Sequence, residues 1–209
     1  MIGLLVHATG RYIDFIEPLF ETVEEFFLRQ HTVELRVYTD AISCRALRRQ
    51  YRCSLSSARW PKLPWPYSTL LRYHAILEDA PALGLFSHLF HCDADMLFRA
   101  PVGNEILHPL VGTVHPGFAD QPRASFPYEQ RPESSCCIRK HEGTEYFAGG
   151  FVGGETKQFL SAVRFITEII DQDSKAKILP VWDDESATNR YFCSHPPHAL
   201  RRFMVPQEF

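Results

Sequence analysis

The chain has 209 residues, 45% of them hydrophobic, and a formal net charge of −3. That length fits one domain with a real buried core. Both charge signs are dispersed along the chain, which excludes the basic footprint of a nucleic-acid binder and the polybasic patch of a membrane-surface protein.

The opening "MIGLLVHATG" has no basic leader, and its apolar run is too short for a signal peptide or a membrane span. "IGLLVHA" therefore reads as a buried strand, and the chain as one of cytoplasmic type. Residues 13–29 carry Ile13, Ile16, Phe20, Val23 and Phe27 at helical spacing, with Pro18 near the start. "TVELRVYTD" alternates in period two, with Val33, Leu35 and Val37 on one face, and predicts a strand. Residues 43–66 read as irregular and basic, and residues 67–80 as a helix. "LFSHLFHC" predicts a strand that delivers "DADM". "VGNEILHPL" reads as a short helix and "VGTVHPGF" as a strand. Residues 116–145 hold prolines and charges with little periodicity, a loop long enough to suggest function. "YFAGGFVGG" is a glycine-interrupted strand. Residues 155–172 form a helix with Phe159, Val163, Ile166 and Ile170 inward. "WDDES" opens a last helix, and a short extended tail follows. The alternation of strand and helix is that of an α/β protein.

The six cysteines, Cys44, Cys53, Cys92, Cys136, Cys137 and Cys193, contain no C-x-x-C pair. They read as reduced thiols rather than as a zinc site or a disulfide framework.

Four constellations carry chemistry. Asp93 and Asp95 follow an apolar strand with one small residue between them. Two carboxylates at a strand end can share a hard divalent cation completed by water and phosphate oxygens, or can simply form a turn. In "WDDES", Asp184 and Glu185 face different directions on a first helical turn, and Trp182 offers either core bulk or a flat platform for a sugar. Acids there also suit the helix dipole without any ligand. The two GG pairs of "YFAGGFVGG" mark close approach by a ligand or by another piece of the protein. Arg72 lies in an apolar helical stretch, "LLRYHAI", where a buried guanidinium needs an anionic partner, either the aspartates or a phosphate. His115, before a Pro-Gly turn, is ambiguous by itself.

Taken together and in this order, "HCDADMLFRAPVGNEILHPLVGTVHPGF", "FPYEQRPES", "EGTEYFAGGFVGG" and "VWDDESATNRYF" resemble the family 6 retaining glycosyltransferases. That family includes the blood-group A and B transferases and the α1,3-galactosyltransferase. The resemblance runs from about Leu4 to Phe209. It implies a GT-A fold: a single α/β domain over 1–209 with a mixed central sheet flanked by helices. A nucleotide-binding half over about 1–100 would merge with an acceptor-binding half over about 101–209.

The resemblance also implies roles. His7, Ala8, Thr9 and Tyr12, in "HATGRY", match the uridine cradle. Asp93 and Asp95 match the metal-binding pair, with Mn²⁺ (Mg²⁺ as an alternative) on the UDP diphosphate. Arg72 matches an arginine that contacts this pair and the donor. Ala148, Gly149 and Gly150 match the positions that discriminate galactose from N-acetylgalactosamine. His115 and Trp182 match acceptor-binding positions. Asp184 matches the residue that holds the donor sugar. Glu185 matches the catalytic carboxylate, which also lies against the acceptor. The implied partners are UDP-N-acetylgalactosamine or UDP-galactose and a β-galactoside, joined in α1,3 linkage.

The chain departs from the family pattern at Asp183, usually His, at Pro127, often Thr or Ser, and at Gln130, one of two adjacent arginines. It ends at "MVPQEF", before the basic tail of the long vertebrate forms, and so reads as a short microbial or viral form or a trimmed core. A non-catalytic sugar-nucleotide or glycan-binding relative is the second reading. A phosphoryl-transfer enzyme with an aspartyl nucleophile is a third, disfavoured by the mid-chain position of the acidic pair.

Overall fold

The structure is a computed structural model that describes residues 1–41, 52–201 and 203. A seven-stranded mixed sheet runs through the centre, with strands β1 (Ile2–His7), β2 (Val33–Thr39), β3 (Ser54–Arg59), β4 (His88–Asp93), β5 (Leu110–Val114), β6 (Phe147–Glu155) and β7 (His198–Leu200). Their order across the sheet is β3-β2-β1-β4-β6-β5-β7. The first four strands are mutually parallel, and β6 runs antiparallel to both its neighbours.

The period-two residues of β1 explain the layering. Ile2, Leu4 and Val6 point to one face, where Ile16, Leu19, Phe20 and Val23 of helix α1 (Ile16–Phe26) cover them. Leu5 points to the other face, into a second core with α5 (Thr156–Lys175) and α6 (Asp183–Ser194). The central parallel strands β1 and β4 are buried on both faces, which is why they read as nearly continuous apolar runs. Among the described residues, no helix is long and apolar enough to cross a membrane.

Several elements differ from the sequence expectation. The segment read as irregular over 43–66 contains β3, while residues 42–51, including Cys44, lie outside the described residues. "SLSSAR" carries little apolar signal because β3 is an edge strand, held by its parallel register with β2. The helix expected over 67–80 is three short ones, α2 (Tyr67–Leu70), α3 (Arg72–Glu78) and α4 (Ala80–Leu83). Leu71 leaves the helical region between the first two, and Pro81 starts the third. The first helix begins three residues later than its periodicity suggests, because Gly10–Phe15 form a 3-10 turn. "NEI" is likewise a 3-10 turn. The long loop over 116–145 packs Phe126, Tyr128 and Ile138 with Tyr146, just beyond it, into a small separate core. The tail contributes β7 at the sheet edge, and residues 204–209 lie outside the described residues.

The two GG pairs have different causes. A Cβ on Gly153 would stand 2.5 Å from the carbonyl oxygen of Leu89, and one on Gly154 2.3 Å from that of Pro109. Neighbouring backbone therefore forbids a side chain at both. The other pair opens onto the site described next.

Candidate active site

β1 and β4 are parallel neighbours, and His7 and Asp93 are register partners at their carboxyl ends. The chain leaves β1 for β2 on one side, while β4 lies on the other. This is the switch point where open α/β sheets form their ligand crevice. A cavity of about 470 Å³ lies there. It is lined by His7, Thr9, Tyr12, Trp65, Ser68, Thr69, Arg72, Asp93, Ala94, Asp95, Gly149, Gly150, Trp182, Asp183, Asp184 and Glu185.

Arg72 organises the floor. It is the first residue of α3 and is 8% exposed. Its Nε donates to Asp184 Oδ2 at 2.5 Å and its Nη1 to Asp93 Oδ1 at 2.5 Å. Burial opposes the charge on the guanidinium, but Asp184 and Asp93 overcome that effect and raise its pKa, so Arg72 stays cationic. One side chain thus ties α3 to the end of β4 and the start of α6.

α6 opens with Asp183, Asp184 and Glu185 in its first turn. Asp183 has a left-handed backbone with φ 42°, a conformation aspartate tolerates. Successive helical residues diverge by about 100°, so Asp184 and Glu185 aim apart. Asp184 is fully buried, and its Oδ1 has no hydrogen-bond partner among the described residues. Burial pushes its carboxyl up to about 7, with Arg72 pulling the other way. Both oxygens of Glu185 are held: Oε1 accepts from the Tyr146 hydroxyl at 2.5 Å, and Oε2 from the Gly149 amide at 2.7 Å. Burial and Glu185 push the Tyr146 hydroxyl well up, which keeps it a donor. Asn189, 1% exposed and one turn beyond Glu185, fixes this geometry. Its side chain accepts from the Phe147 amide at 2.9 Å and donates to the Phe147 carbonyl at 2.8 Å and the Glu185 carbonyl at 3.0 Å. β6 and α6 are thereby locked in register beside the carboxylate.

The charge balance is one-sided. The cavity holds five carboxyl groups against one guanidinium. His7 is driven well below its ordinary value by burial, by His91 and by Arg72, and so is neutral. Asp95 is raised by burial and by Asp93, and Asp183 by burial. A diphosphate entering such a site needs a further cation.

The residues present fit a hard divalent ion in one specific way. Among the described residues no group of three or more His, Cys, Asp and Glu side chains forms a metal cage. One oxygen of Asp93 is committed to Arg72, which leaves Asp93 Oδ2 and the Asp95 carboxylate. Two carboxylates suit an ion whose other ligands are water and phosphate, as with magnesium or manganese at nucleotide sites.

The structure brings His7, Thr9, Tyr12, Arg72, Asp93, Asp95, Gly149, Gly150, Trp182, Asp184 and Glu185 to one cavity. Tyr12 and Trp182 stand on its rim, about half exposed. Three expected residues lie elsewhere. Ala8 is buried behind the cavity, its amide donating to the Tyr38 carbonyl at 2.9 Å. Ala148 is buried in β6 opposite Thr113. His115 sits outside, its Nδ1 accepting from the Gly117 amide at 3.1 Å and its ring 5.8 Å from that of Tyr146. Sequence reasoning passed over Trp65, Ser68, Thr69, Tyr146 and Asn189. The available signals were the Pro/Trp-rich approach to α2, the tyrosine opening "YFAGG", and the asparagine at helical spacing from Glu185.

The sequence model of Glycosyltransferase family 6 matches residues 1–203. Globoside alpha-1,3-N-acetylgalactosaminyltransferase 1 of Mus musculus is 32% identical over 203 residues, covering 94% of this chain and 58% of that protein. Histo-blood group ABO system transferase 1 of Rattus norvegicus is also 32% identical over 203 residues, with the same coverage of each chain. The O-antigen biosynthesis glycosyltransferase WbnI of Escherichia coli is 25% identical over 202 residues, covering 96% of this chain and 85% of that protein. The chain thus spans a little over half the length of the two mammalian relatives. With the family pattern matched over nearly every residue, and a mixed α/β sheet of GT-A type beneath it, this chain belongs to glycosyltransferase family 6.

Proposed function

We propose that the chain is a retaining glycosyltransferase that moves N-acetylgalactosamine from UDP-N-acetylgalactosamine, in α1,3 linkage, to a β-galactoside, with Mn²⁺ on the donor diphosphate. The observation that carries this reading is the fixed Glu185 carboxylate beside the Arg72–Asp93–Asp184 cluster in one cavity. The mouse relative, by its name an alpha-1,3-N-acetylgalactosaminyltransferase, supports it.

The chemistry follows from the residues. Tyr12 on the rim stacks on the uracil base. Bound between Asp93 and Asp95, the metal would act as a Lewis acid on the departing UDP. Arg72 keeps Asp93 oriented. The unpartnered Oδ1 of Asp184 accepts from a hydroxyl of the donor sugar, since a buried oxygen without a partner is costly. As the glycosidic bond to UDP breaks, positive charge develops at the anomeric carbon. Glu185 either attacks there, so that two inversions give net retention, or stabilises the charge while the acceptor hydroxyl enters on the leaving-group face. In both cases Tyr146 and Gly149 hold the carboxylate in place, which lowers the reorganisation needed in the transition state.

The donor choice rests on space. An N-acetyl group needs more room than a hydroxyl, and "AGG" at 148–150 carries little side-chain bulk. Gly149 is already flanked by Arg72 and Glu185, so the room for the substituent lies at Gly150. Gly150→Ala, which adds bulk at the one of these positions with room, shifts preference toward UDP-galactose.

The test is transfer from UDP-N-acetylgalactosamine and UDP-galactose to a simple β-galactoside with Mn²⁺. UDP release gives the rate, and NMR of the product gives linkage and anomer. A higher kcat/KM for UDP-galactose overturns the donor assignment, and a β-linked product overturns retention. Tight UDP-sugar binding without transfer to any acceptor would favour the non-catalytic reading.

A further inference from the structure

β6 leaves its ladders where it enters the cavity. One step along β5, from Gly112 to Thr113, moves the partner on β6 from Val152 to Ala148. Residues 149–151 therefore bulge out of the β5 pairing. On the other side, the last β6 residue paired with β4 is Phe151, opposite Cys92. Among the described residues, Gly149 and Gly150 thus pair with neither neighbouring strand, and both line the cavity. Bulges of this kind re-aim a strand next to an active site.

A bulge outside both ladders needs other restraints, since two glycines add backbone freedom. Thr113, fully buried, supplies one. Its backbone pairs with Ala148 at one foot of the bulge, and its Oγ1 donates to the Phe151 carbonyl at the other foot, at 2.8 Å. One residue of β5 thus spans the whole excursion. Asn189 holds Phe147, next to the first foot, from the α6 side. Between the feet, the Gly149 amide donates to Glu185 Oε2 at 2.7 Å, and Gly150 faces the cavity. Thr113 itself does not line the cavity.

The hydroxyl sits where the sheet pairing is interrupted. A buried carbonyl at such a break is satisfied from outside the ladder. Valine has nearly the shape of threonine and would keep the packing while removing the bond. The span of the bulge would then be set by Asn189 and the two glycines. The direction of the Gly149 amide and the width of the wall at Gly150 depend on that span.

We infer that Thr113 is a positioning residue, whose hydroxyl closes the β6 bulge and so sets both the Gly149 donor to Glu185 and the donor-sugar wall at Gly150. The inference rests on the glycosyltransferase reading above, but not on which of the two sugars the wild type prefers.

The test uses Thr113→Val. Because that change sets a methyl group against a carbonyl oxygen, it also uses the smaller pair Thr113→Ser and Thr113→Ala. Loss of the hydroxyl, in Thr113→Val or Thr113→Ala, lowers kcat about tenfold through misplacement of a catalytic group. It also changes the kcat/KM ratio between UDP-N-acetylgalactosamine and UDP-galactose by about threefold or more. The Kd for UDP in calorimetry stays that of wild type. Thr113→Ser, which keeps the hydroxyl, rescues kcat and the donor ratio. Amide hydrogen exchange of the ligand-free protein reads the bulge directly: relative to the β1 amides, Gly149 exchanges about tenfold faster in Thr113→Ala than in wild type. A lower melting temperature with kcat, donor ratio and Gly149 exchange as in wild type overturns the inference. So does a Thr113→Ser variant that behaves like Thr113→Ala. Absence of transfer by the wild type would defeat the glycosyltransferase reading instead, and the exchange result would then decide the role of Thr113 by itself.

Discussion

A Cβ built on Gly149 would stand 2.8 Å from Nη2 of Arg72. Arg72 cannot yield freely, because Asp93 and Asp184 hold its other nitrogens. The same glycine donates its amide to Glu185. The absence of a side chain at one β6 position therefore serves the cation and the carboxylate together. Gly149→Ala should displace the guanidinium and lower kcat by roughly a hundredfold, the scale of a 1 Å misplacement. Steady-state kinetics with a circular-dichroism check of folding measures this. Wild-type turnover would show that Arg72 is not needed where the structure puts it.

Glu185→Gln keeps shape and removes charge. It should reduce kcat by roughly a hundredfold or more while donor binding persists, because the charge matters chiefly in the transition state. Tyr146→Phe leaves the carboxylate but removes one of its two donors. Its loss should be smaller, about tenfold. Calorimetric titration of UDP alongside turnover separates binding from chemistry, and a Tyr146→Phe effect confined to KM would reject the positioning role.

Metal removal tests the acidic pair. EDTA should abolish transfer, and added Mn²⁺ should restore it. Asp95→Asn should lose the metal response with little change in melting temperature, since among the described residues no salt bridge involves it, whereas Asp93 pairs with Arg72. Asp93→Asn should lose the response and also melt lower, because it strips Arg72 of a partner. Full activity of Asp95→Asn in EDTA would exclude the assigned role.

Asp184 makes a prediction about pH and stability. Its carboxyl is pushed up by burial from an ordinary 3.8 to about 7. Between those values the native state binds more protons than the unfolded state. This group therefore makes stability fall as pH rises from about 4 to about 7, with no further change above. His7 and His91 are shifted down, mainly by burial, and act in the opposite sense, but both are present in wild type and in Asp184→Asn. The melting temperature of wild type minus that of Asp184→Asn should decline over that window and then level off. A difference that rises through the window would mean that Arg72 outweighs burial and holds Asp184 ionised.

Much of the scaffold was legible in the residues themselves. The alternation in "TVELRVYTD" and the apolar run before Asp93 became β2 and β4, because burial on a sheet imposes period two or a continuous apolar stretch. The helical spacing of Phe159, Val163, Ile166 and Ile170 became the inner face of α5 for the same reason. The acids of "WDDES" opened α6 as read, and buried Arg72 met Asp93 of the acidic pair, with Asp184 rather than Asp95 as its second partner. β3 escaped notice because an edge strand needs little apolar surface, and the 67–80 helix broke because Leu71 and Pro81 interrupt a pattern that periodicity alone continues.

What tertiary structure alone decided is the assembly of the site. Arg72 and Asp184 are 112 residues apart in sequence, and Tyr146 and Glu185 are 39 apart. Such pairs leave no local periodic mark, since periodicity reports only which face of an element is covered. They meet because parallel pairing sets the end of β4 beside the end of β1, and antiparallel pairing lays β6 along β4. The same packing buries Ala148 and moves His115 out of the cavity, while it admits Trp65, Ser68 and Thr69. Residue types and their order thus determined which chemical groups were available, and the long-range pairing of the sheet determined which of them share one cavity.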